Sequence, residues 1–506
     1  MNKAVWTSIG SLVFRSGAST LRCAAILFSA ALKVLATAAG ALAVGLVLTA
    51  ALGGCARVTL PDRDLAAQLQ YNQAVKERYQ IDPRWWKSYG DAGLDALVEL
   101  ALTNNHDLAA SALNLKRALI QAGLTELDLY PKLSGSGSTS TRRDLKGENP
   151  ATRSFGVNFG LSYEIDLWRR VALAATASQW EYMATAEDLE ATRQTLINKV
   201  VDAYYNLAYL NDALAQNERN LRNLLAVEKT VLVKHENGQA TAVEPIQAAQ
   251  SVLSARDAIL NARQQLVTAS QTMRNLLNLG PADDLGLEAL TLKGVKPPGV
   301  DLSVPLSVLA NRPDLKAAEF RLYKAFSNTK IAERAWLPTI SLSSAISSSS
   351  GTLDRLWANP SASLGLSLSL PFLDWPRLEK NVRLSELEYE TVRLSFESAL
   401  KVALNEIDVF YQNYQTITRL LEHSRRRHSY NLRISEYYRD RYQAGAAELS
   451  DWLSAVNSAN SSGLSALNTL YQSIAAQNQI FEAMAGRYVD SGAALGPDNA
   501  QSDGQP

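Results

Sequence analysis

Few residues in this chain are spaced to do chemistry. Four histidines occur (His106, His235, His423, His428), and none has a second ligand at metal-binding spacing. His423 and His428 flank Arg425-Arg426-Arg427, a basic run that reads as a solvated helix face. Glu164 and Asp166 alternate onto the polar side of an extended segment. They stand there either as an acid–base pair or as charges at the end of a strand. The chain holds no phosphate-binding loop, no Gly-x-Ser-x-Gly elbow and no His-Glu-x-x-His helix. No catalytic residue, cofactor site or metal set follows from this inventory, and the chain does not read as an enzyme. Charged residues are 20% with a formal net charge of +0, so no basic surface invites nucleic acid.

The one residue with covalent chemistry in prospect is Cys55. Basic residues Lys3, Arg15, Arg22 and Lys33 precede an uncharged run from Val34 to Leu52, and Leu52-Gly53-Gly54-Cys55 follows. Residues 1–54 read as a secretory leader with a small-residue cleavage site. The rival is a retained anchor, since the apolar run is long enough to span a bilayer. The Leu-Gly-Gly-Cys stretch resembles the bacterial lipoprotein signal, which implies that Cys55 becomes the acylated first mature residue. Cys23 lies in the leader, so the mature chain then has no internal disulfide. Ala56 follows Cys55, and the same resemblance makes this an outer-membrane rather than an inner-membrane lipoprotein.

The elements come in two sets, because the chain repeats itself at an offset of 207 residues. Asn104, Asp107, Leu108, Glu126 and Pro131 recur as Asn311, Asp314, Leu315, Glu333 and Pro338; Tyr204, Asn206 and Gly238 recur as Tyr411, Asn413 and Gly445. After a mixed segment (55–91), repeat 1 covers 92–278 and repeat 2 covers 306–486. A linker (279–305) lies between them and a tail (487–506) follows. Repeat 1 predicts a helix from Ala92 to Leu129, strands over 132–142 and 154–168, a long helix over 171–236 and a return helix over 241–278. Repeat 2 predicts a helix, strands over 337–347 and 362–374, a long helix over 378–443 and a return helix over 448–486. Strict alternation from Phe155 to Leu167 marks one strand, and Leu364, Leu366, Leu368 and Leu370 mark its copy. Neither 171–236 nor 378–443 contains Gly or Pro. Leu196, Val200, Ala203, Leu207, Leu210 and Leu214 trace the seam of a coiled coil.

Helices of this length reach about 100 Å and must lie side by side rather than fold into a ball. The strands have the length that crosses an outer membrane when tilted, with one apolar and one polar face. A lipid-facing sheet must close, and four strands are too few, so closure needs more than one chain. The same alternation also suits a half-buried sheet on a soluble coiled coil. The fold class is therefore mainly α with membrane β: a duplicated half-unit giving four transmembrane strands plus long coiled-coil helices.

The chain resembles the TolC-like outer-membrane efflux proteins, and within them the lipoprotein branch that serves resistance-nodulation-division pumps. The resemblance covers about 85–485. It is carried by Trp85-Trp86-Lys87-Ser88-Tyr89-Gly90, Asn311-Arg312-Pro313-Asp314-Leu315, Leu337-Pro338-Thr339, Leu370-Pro371-Phe372-Leu373-Asp374 and Tyr442-Gln443-Ala444-Gly445. It implies a homotrimer with a 12-strand barrel in the outer membrane and a 12-helix α-barrel in the periplasm. It also implies a periplasmic adaptor (membrane fusion) protein and an inner-membrane resistance-nodulation-division pump as partners. The turns with Gly238, Thr241, Gly445 and Ala446 would form the periplasmic tip and meet the adaptor. Segments 55–91 and 279–305 would lie at the tunnel equator. The family's pore-narrowing Leu and acidic positions are Ser450 and Ser454 here. Arg439, Arg441, Glu448, Ser450, Asp451 and Ser454 are then the gate candidates. Asp451 stands either in a like-charge ring or as a helix-start charge. The implied function is a passive exit duct for small-molecule or ion cargo. Two readings remain beside it: an exit duct of type I protein secretion, and a pore-less lipid-anchored periplasmic coiled-coil scaffold.

Overall fold

A computed structural model describes residues 79–143, 150–300 and 311–490. The expected leader and Cys55 lie outside the described residues. A short strand β1 (Tyr79–Asp82) and a 3-10 turn (Trp85–Tyr89) lead into α1 (Ala92–Asn104) and α2 (His106–Glu126). The first half continues with β2 (Lys132–Arg142), β3 (Thr152–Ile165), α3 (Arg170–Glu236) and α4 (Glu244–Leu277). The second half holds α5 (Pro313–Arg334), β4 (Thr339–Ser350), β5 (Ser361–Ser369), α6 (Trp375–Gln443) and α7 (Leu449–Ala483), and β6 (Arg487–Asp490) follows.

Five differences from the sequence reading have local causes. The helix expected over Ala92–Leu129 is two helices. Asn105 takes an extended conformation and its side chain accepts from the Asp107 and Leu108 N–H groups, capping α2. The strand expected to 168 stops at Ile165, because Asp166 turns to accept from the Ala172 N–H at the start of α3 (2.8 Å). The strand expected to 374 stops at Ser369. Pro371, with no N–H for a ladder, opens a 3-10 turn over Pro371–Asp374. The return helices start and end inside their expected bounds; after α7, Ala485 and Gly486 at positive φ break the helix. Residues 487–490 then form β6, antiparallel to β1, a pair too short for periodicity to reveal.

Strands β2, β3, β4 and β5 form one antiparallel sheet in that order, so β2 and β5 are both open edges within the chain. Two corners tie it to the helices. The Trp168 indole donates to the Pro338 carbonyl (2.7 Å), and Arg334 donates to the Trp168 carbonyl (2.7 Å). These bonds join the β3–α3 corner of one half to the α5–β4 corner of the other.

The main core surrounds the middle of α3. Ile197, Val200, Val201, Tyr205 and Leu207 pack with Trp85 and Trp86, Leu94 and Val98 of α1, Met273 and Leu277 of α4, and Ile474 and Phe481 of α7. A fully buried large side chain stabilises by about 1.5–3 kcal/mol. Segment 279–295 is laced to the same level of α3: Asn211 donates to the Leu287 and Leu290 carbonyls, and Asp212 accepts from Thr291 and Leu292.

Candidate functional site

The end of the helices remote from the sheet carries both reversals. Each is made by a glycine in the left-handed region, Gly238 at φ +70 and Gly445 at φ +73, where an L side chain is strained. In the first turn the Thr241 N–H and hydroxyl both donate to Glu244 Oε1 (2.9 and 3.2 Å), opening α4. In the second, Arg441 donates to the Ala446 carbonyl (2.9 and 3.2 Å) and to the Tyr437 hydroxyl (3.1 Å).

A staple joins the two turns. Lys234, near the end of α3, donates to the Tyr442 carbonyl (2.5 Å) and lies 4.3 Å from the centre of the Tyr442 ring. The Tyr442 hydroxyl donates to Glu244 Oε2 (2.8 Å). Burial raises the Glu244 carboxyl pKa, but bonds from the Thr241 N–H, Tyr442 and Thr241 hydroxyl, with the nearby Lys234 charge, outweigh it and hold Glu244 below its ordinary range. Burial first, then the Glu244 charge, pushes the Tyr442 phenol well above its usual value. Beneath it, Trp452 packs at 5.3 Å, within an apolar cluster of Val227, Val231, Val252, Leu449 and Val456. The sequence reading placed none of Lys234, Glu244, Tyr442 or Trp452 in the site. Thr241-x-x-Glu244 had the capping-box pattern, but the cross-turn contact had no local signal.

The gate candidates separate. Arg439 pairs with its neighbour Asp440 (3.0 Å), and Arg441 closes its own turn. Glu448 stands just before α7 without a side-chain bond to its first turn's N–H groups, and accepts from the Ser450 hydroxyl (3.2 Å). Within the described chain no ion pair joins Arg439 or Arg441 to Glu448 or Asp451. Ser450, Asp451 and Ser454 share the exposed face of α7, while Leu449, Trp452 and Leu453 face inward. Among the described residues no group of His, Cys, Asp and Glu could hold a metal ion.

At the other end the sheet is two-faced. Register puts Leu133, Phe159, Ile346 and Leu364 on one side with Leu161, Leu342, Leu366 and Leu368. These apolar residues face outward with nothing of the chain over most of them; Leu133 is 82% and Leu364 76% exposed. The reverse face is nearly all hydroxyl and glycine: Ser134, Ser136, Ser138, Asn158, Ser343, Ser347, Ser363 and Gly365. Glu164 sits at its margin, paired with Arg170 (2.7 Å), and Asp166 caps α3, so the two carboxylates are engaged separately. Among the described residues no helix is long and apolar enough to cross a membrane.

Comparison with known proteins agrees with this architecture. A family model described as outer membrane efflux protein matches residues 97–279 and 304–486, one stretch in each half. The chain is 40% identical to an uncharacterised protein of Haemophilus influenzae over 88% of its own length and 98% of that protein's. It is 38% identical to toxin and drug export protein A of Aggregatibacter actinomycetemcomitans, over 88% of this chain and 97% of that one. The fold is shared with the CmeC outer membrane channel of Campylobacter jejuni at a TM-score of 0.74 and 24% identity, covering 81% of this chain and 89% of that one. This chain therefore belongs to the outer membrane efflux protein family, non-enzymatic conduits of the outer membrane that work in tripartite efflux pumps.

Proposed function

We propose that three copies of this chain close into a 12-strand barrel in the outer membrane, continued by a 12-helix tunnel into the periplasm. The observation that carries this is a four-strand sheet with an uncovered apolar face and two open edges. In hydrocarbon each open edge leaves unpaired backbone groups, which closure with β2 and β5 of neighbouring copies removes. The helices call for the same neighbours. Ile246, Leu253, Leu260 and Val267 form an exposed heptad stripe along α4, and Leu387, Leu394 and Val409 lie exposed on α6. With the sheet in the membrane, segment 279–295 falls at the tunnel equator, and Cys55 anchors each copy to outer-membrane lipid through its acylated thiol. The turns at Gly238, Thr241, Gly445 and Ala446 form the periplasmic tip, where a periplasmic adaptor docks and links to an inner-membrane resistance-nodulation-division pump.

The duct is passive and its tip is the gate. The staple of Lys234, Tyr442 and Glu244 holds the two turns of one copy together in the closed state. Opening releases it and moves α6 and α7 with Arg439, Arg441, Glu448, Ser450, Asp451 and Ser454 away from the axis. The cargo is small molecules of the drug type, in keeping with the relative named for toxin and drug export. That same name favours a second reading, in which the duct also passes an exported protein toxin.

Purified full-length protein should run as a trimer and carry single-channel current in a planar bilayer. A monodisperse monomer with no current overturns the barrel. Fatty-acid labelling should disappear in Cys55→Ser; persistent labelling removes Cys55 as the lipid site. In cells lacking the protein, lost drug tolerance with intact toxin release supports the first cargo reading, and the reverse result supports the second.

A further inference from the structure

The two halves of the chain meet along α3 and α5, and three contacts join them near the sheet. The Trp168 indole donates to the Pro338 carbonyl (2.7 Å). Further along α3, Trp180 stacks on Phe320 (5.8 Å, 17°), and its neighbour Glu181 pairs with Lys324 (3.0 Å). Every residue in these contacts has a counterpart in the repeat. Trp168, Trp180 and Glu181 correspond to Trp375, Leu387 and Glu388 of α6. Pro338, Phe320 and Lys324 correspond to Pro131, Leu113 and Arg117, the last two on α2. The counterparts are left unmet in the chain, where α2 packs on α3 and α6 packs on α5 and α7. Among the described residues the Trp375 indole and the Arg117 and Glu388 side chains have no hydrogen-bond or ion-pair partner. Leu113 is 63%, Leu387 51% and Trp375 57% exposed.

The unmet groups stand at the flanks of the protomer. The sheet runs β2-β3-β4-β5, and the helices joined to those strands pack in the same order, α2-α3-α5-α6. Open edge strands therefore continue into open edge helices, β2 from α2 and β5 into α6. At about 100° a residue, Leu113, Arg117, Ile120 and Leu124 fall within about 60° of one another around α2. All four are exposed, and they point away from Ser111 and Thr125, which hydrogen-bond Thr192 and Ser178 of α3. On α6, Leu387 lies about 160° around the helix from Ser385, whose carbonyl accepts from Thr329 of α5. Each edge helix thus turns an apolar side with an unpaired charge beside it away from its own chain, basic on α2 and acidic on α6.

We propose that α6 of one copy packs on α2 of the next through the same contacts that join α3 to α5 within a chain. Glu388 pairs with Arg117 of the next copy, Leu387 packs on its Leu113, and the Trp375 indole donates to its Pro131 carbonyl. The pairing rests on the barrel reading and gives its helical seam residue by residue. The counterparts keep the chemistry of the originals: the charges keep their signs, the indole donor is retained, and two stacked aromatics become two leucines. Where a contact is not kept, no charge is stranded. Arg321 and Asp188, an ion pair between the halves, become the neutral Asn114 and Ser395. One exposed ion pair is weak alone, but a closed ring repeats it at every junction between copies.

The test uses the detergent-purified full-length protein, assayed in parallel for conductance. Arg117→Cys with Glu388→Cys in one chain, treated with a short bis-maleimide, should give covalent dimer and trimer on a denaturing gel. Either cysteine alone should give only monomer. Charge reversal then separates the ion pair from mere proximity. Arg117→Glu or Glu388→Arg alone should weaken the trimer about tenfold on dilution, read by native mass spectrometry, since each ring carries the contact three times. The two reversals together should restore it to within about threefold. Both positions are exposed, so the thermal melt of the protomer should not move. Conducting trimers that give no covalent ladder overturn the pairing, as does a cross-link confined within single chains. A double reversal as weak as either single, or trimers indifferent to every reversal, overturns it too. A wild type that is monomeric and carries no current is a different failure: the barrel falls, and the pairing with it.

Discussion

Helices α3 and α6 are copies of each other in sequence and near-equals in length, yet they are buried very differently. Twenty residues of α3 are buried, against five of α6. Both keep one apolar seam: Val200 and Tyr204 on α3 correspond to Ile407 and Tyr411 on α6. The difference lies on the second face. Where α3 buries Val201, Tyr205 and Ala208, α6 exposes Asp408, Gln412 and Gln415. Accordingly α3 packs against α1, α2, α4, α5 and α7, while α6 packs mainly against α5 and α7. Duplication preserved the register of the helix and let the two copies diverge in what surrounds them. One became the spine of the protomer, and the other kept a face for what lies outside it.

Exchanging the second faces tests this most severely. Tyr205, 1% exposed, should cost about 3–5 kcal/mol on Tyr205→Gln, which gives α3 the residue α6 carries. The reverse change, Gln412→Tyr, should move protomer stability by no more than about 0.5 kcal/mol. Denaturant unfolding measures both, and equal costs would abolish the distinction. Next in size is assembly. Leu387→Asp with Leu394→Asp on the exposed side of α6 should shift the proposed trimer toward monomer at about 1–3 kcal/mol per charge. Helical content by circular dichroism should stay unchanged. A trimer that survives both charges would mean this side of α6 meets water rather than a neighbour.

The same contrast explains what could be read from the sequence. Runs free of Gly and Pro located α3 and α6 to within three residues at each end, because helix continuity is a local property. Strand alternation located β3 and β5 but overran both: Leu167 and Phe372 keep the alternation after the backbone has left the sheet. Asp166 and Pro371 ended those strands by chemistry that periodicity does not sense. The glycines of the two turns were legible, since only a left-handed residue stops such helices abruptly. The staple between the turns was not. Lys234 and Tyr442 are 208 residues apart in sequence, and only packing of one half on the other brings them together.

That staple is where the halves hold each other at the turns proposed as the gate, and breaking it should act on opening more than on stability. Tyr442→Phe removes a bond to a charged acceptor at a partly wet site, worth about 1 kcal/mol. Open probability in a planar bilayer should therefore rise about fivefold. The pH dependence has a definite sign. Glu244 has a folded pKa below its ordinary value, so its contribution is complete above that value and fades as pH falls through the folded one. Conductance should be flat from neutral pH to about 5 and rise only below about 4. A wild-type rise already at pH 6 would assign the gate to another group, and an unaltered Tyr442→Phe channel would remove the staple from gating.

The smallest effect concerns a carboxyl at the junction of the halves. Glu482 of α7 accepts from Asn198 of α3 and lies near Arg312 at the start of α5, whereas its repeat counterpart Asn275 is an exposed amide. Burial pushes the Glu482 pKa up, and bonds from Thr195 and Asn198 with the Lys199 and Arg312 charges only partly offset this. A carboxyl with a raised folded pKa binds more proton folded than unfolded. Stability therefore falls as pH climbs from the ordinary Glu value through the folded one, and the loss persists at neutral pH. Glu482→Gln keeps an acceptor for Asn198 and carries no charge to desolvate. Its Tm should exceed wild type by about 2 °C at pH 7 and match it at pH 4. A lower Tm at pH 7 would instead mean that the ionised pairing with Arg312 outweighs burial, and that the two halves are clamped here by charge.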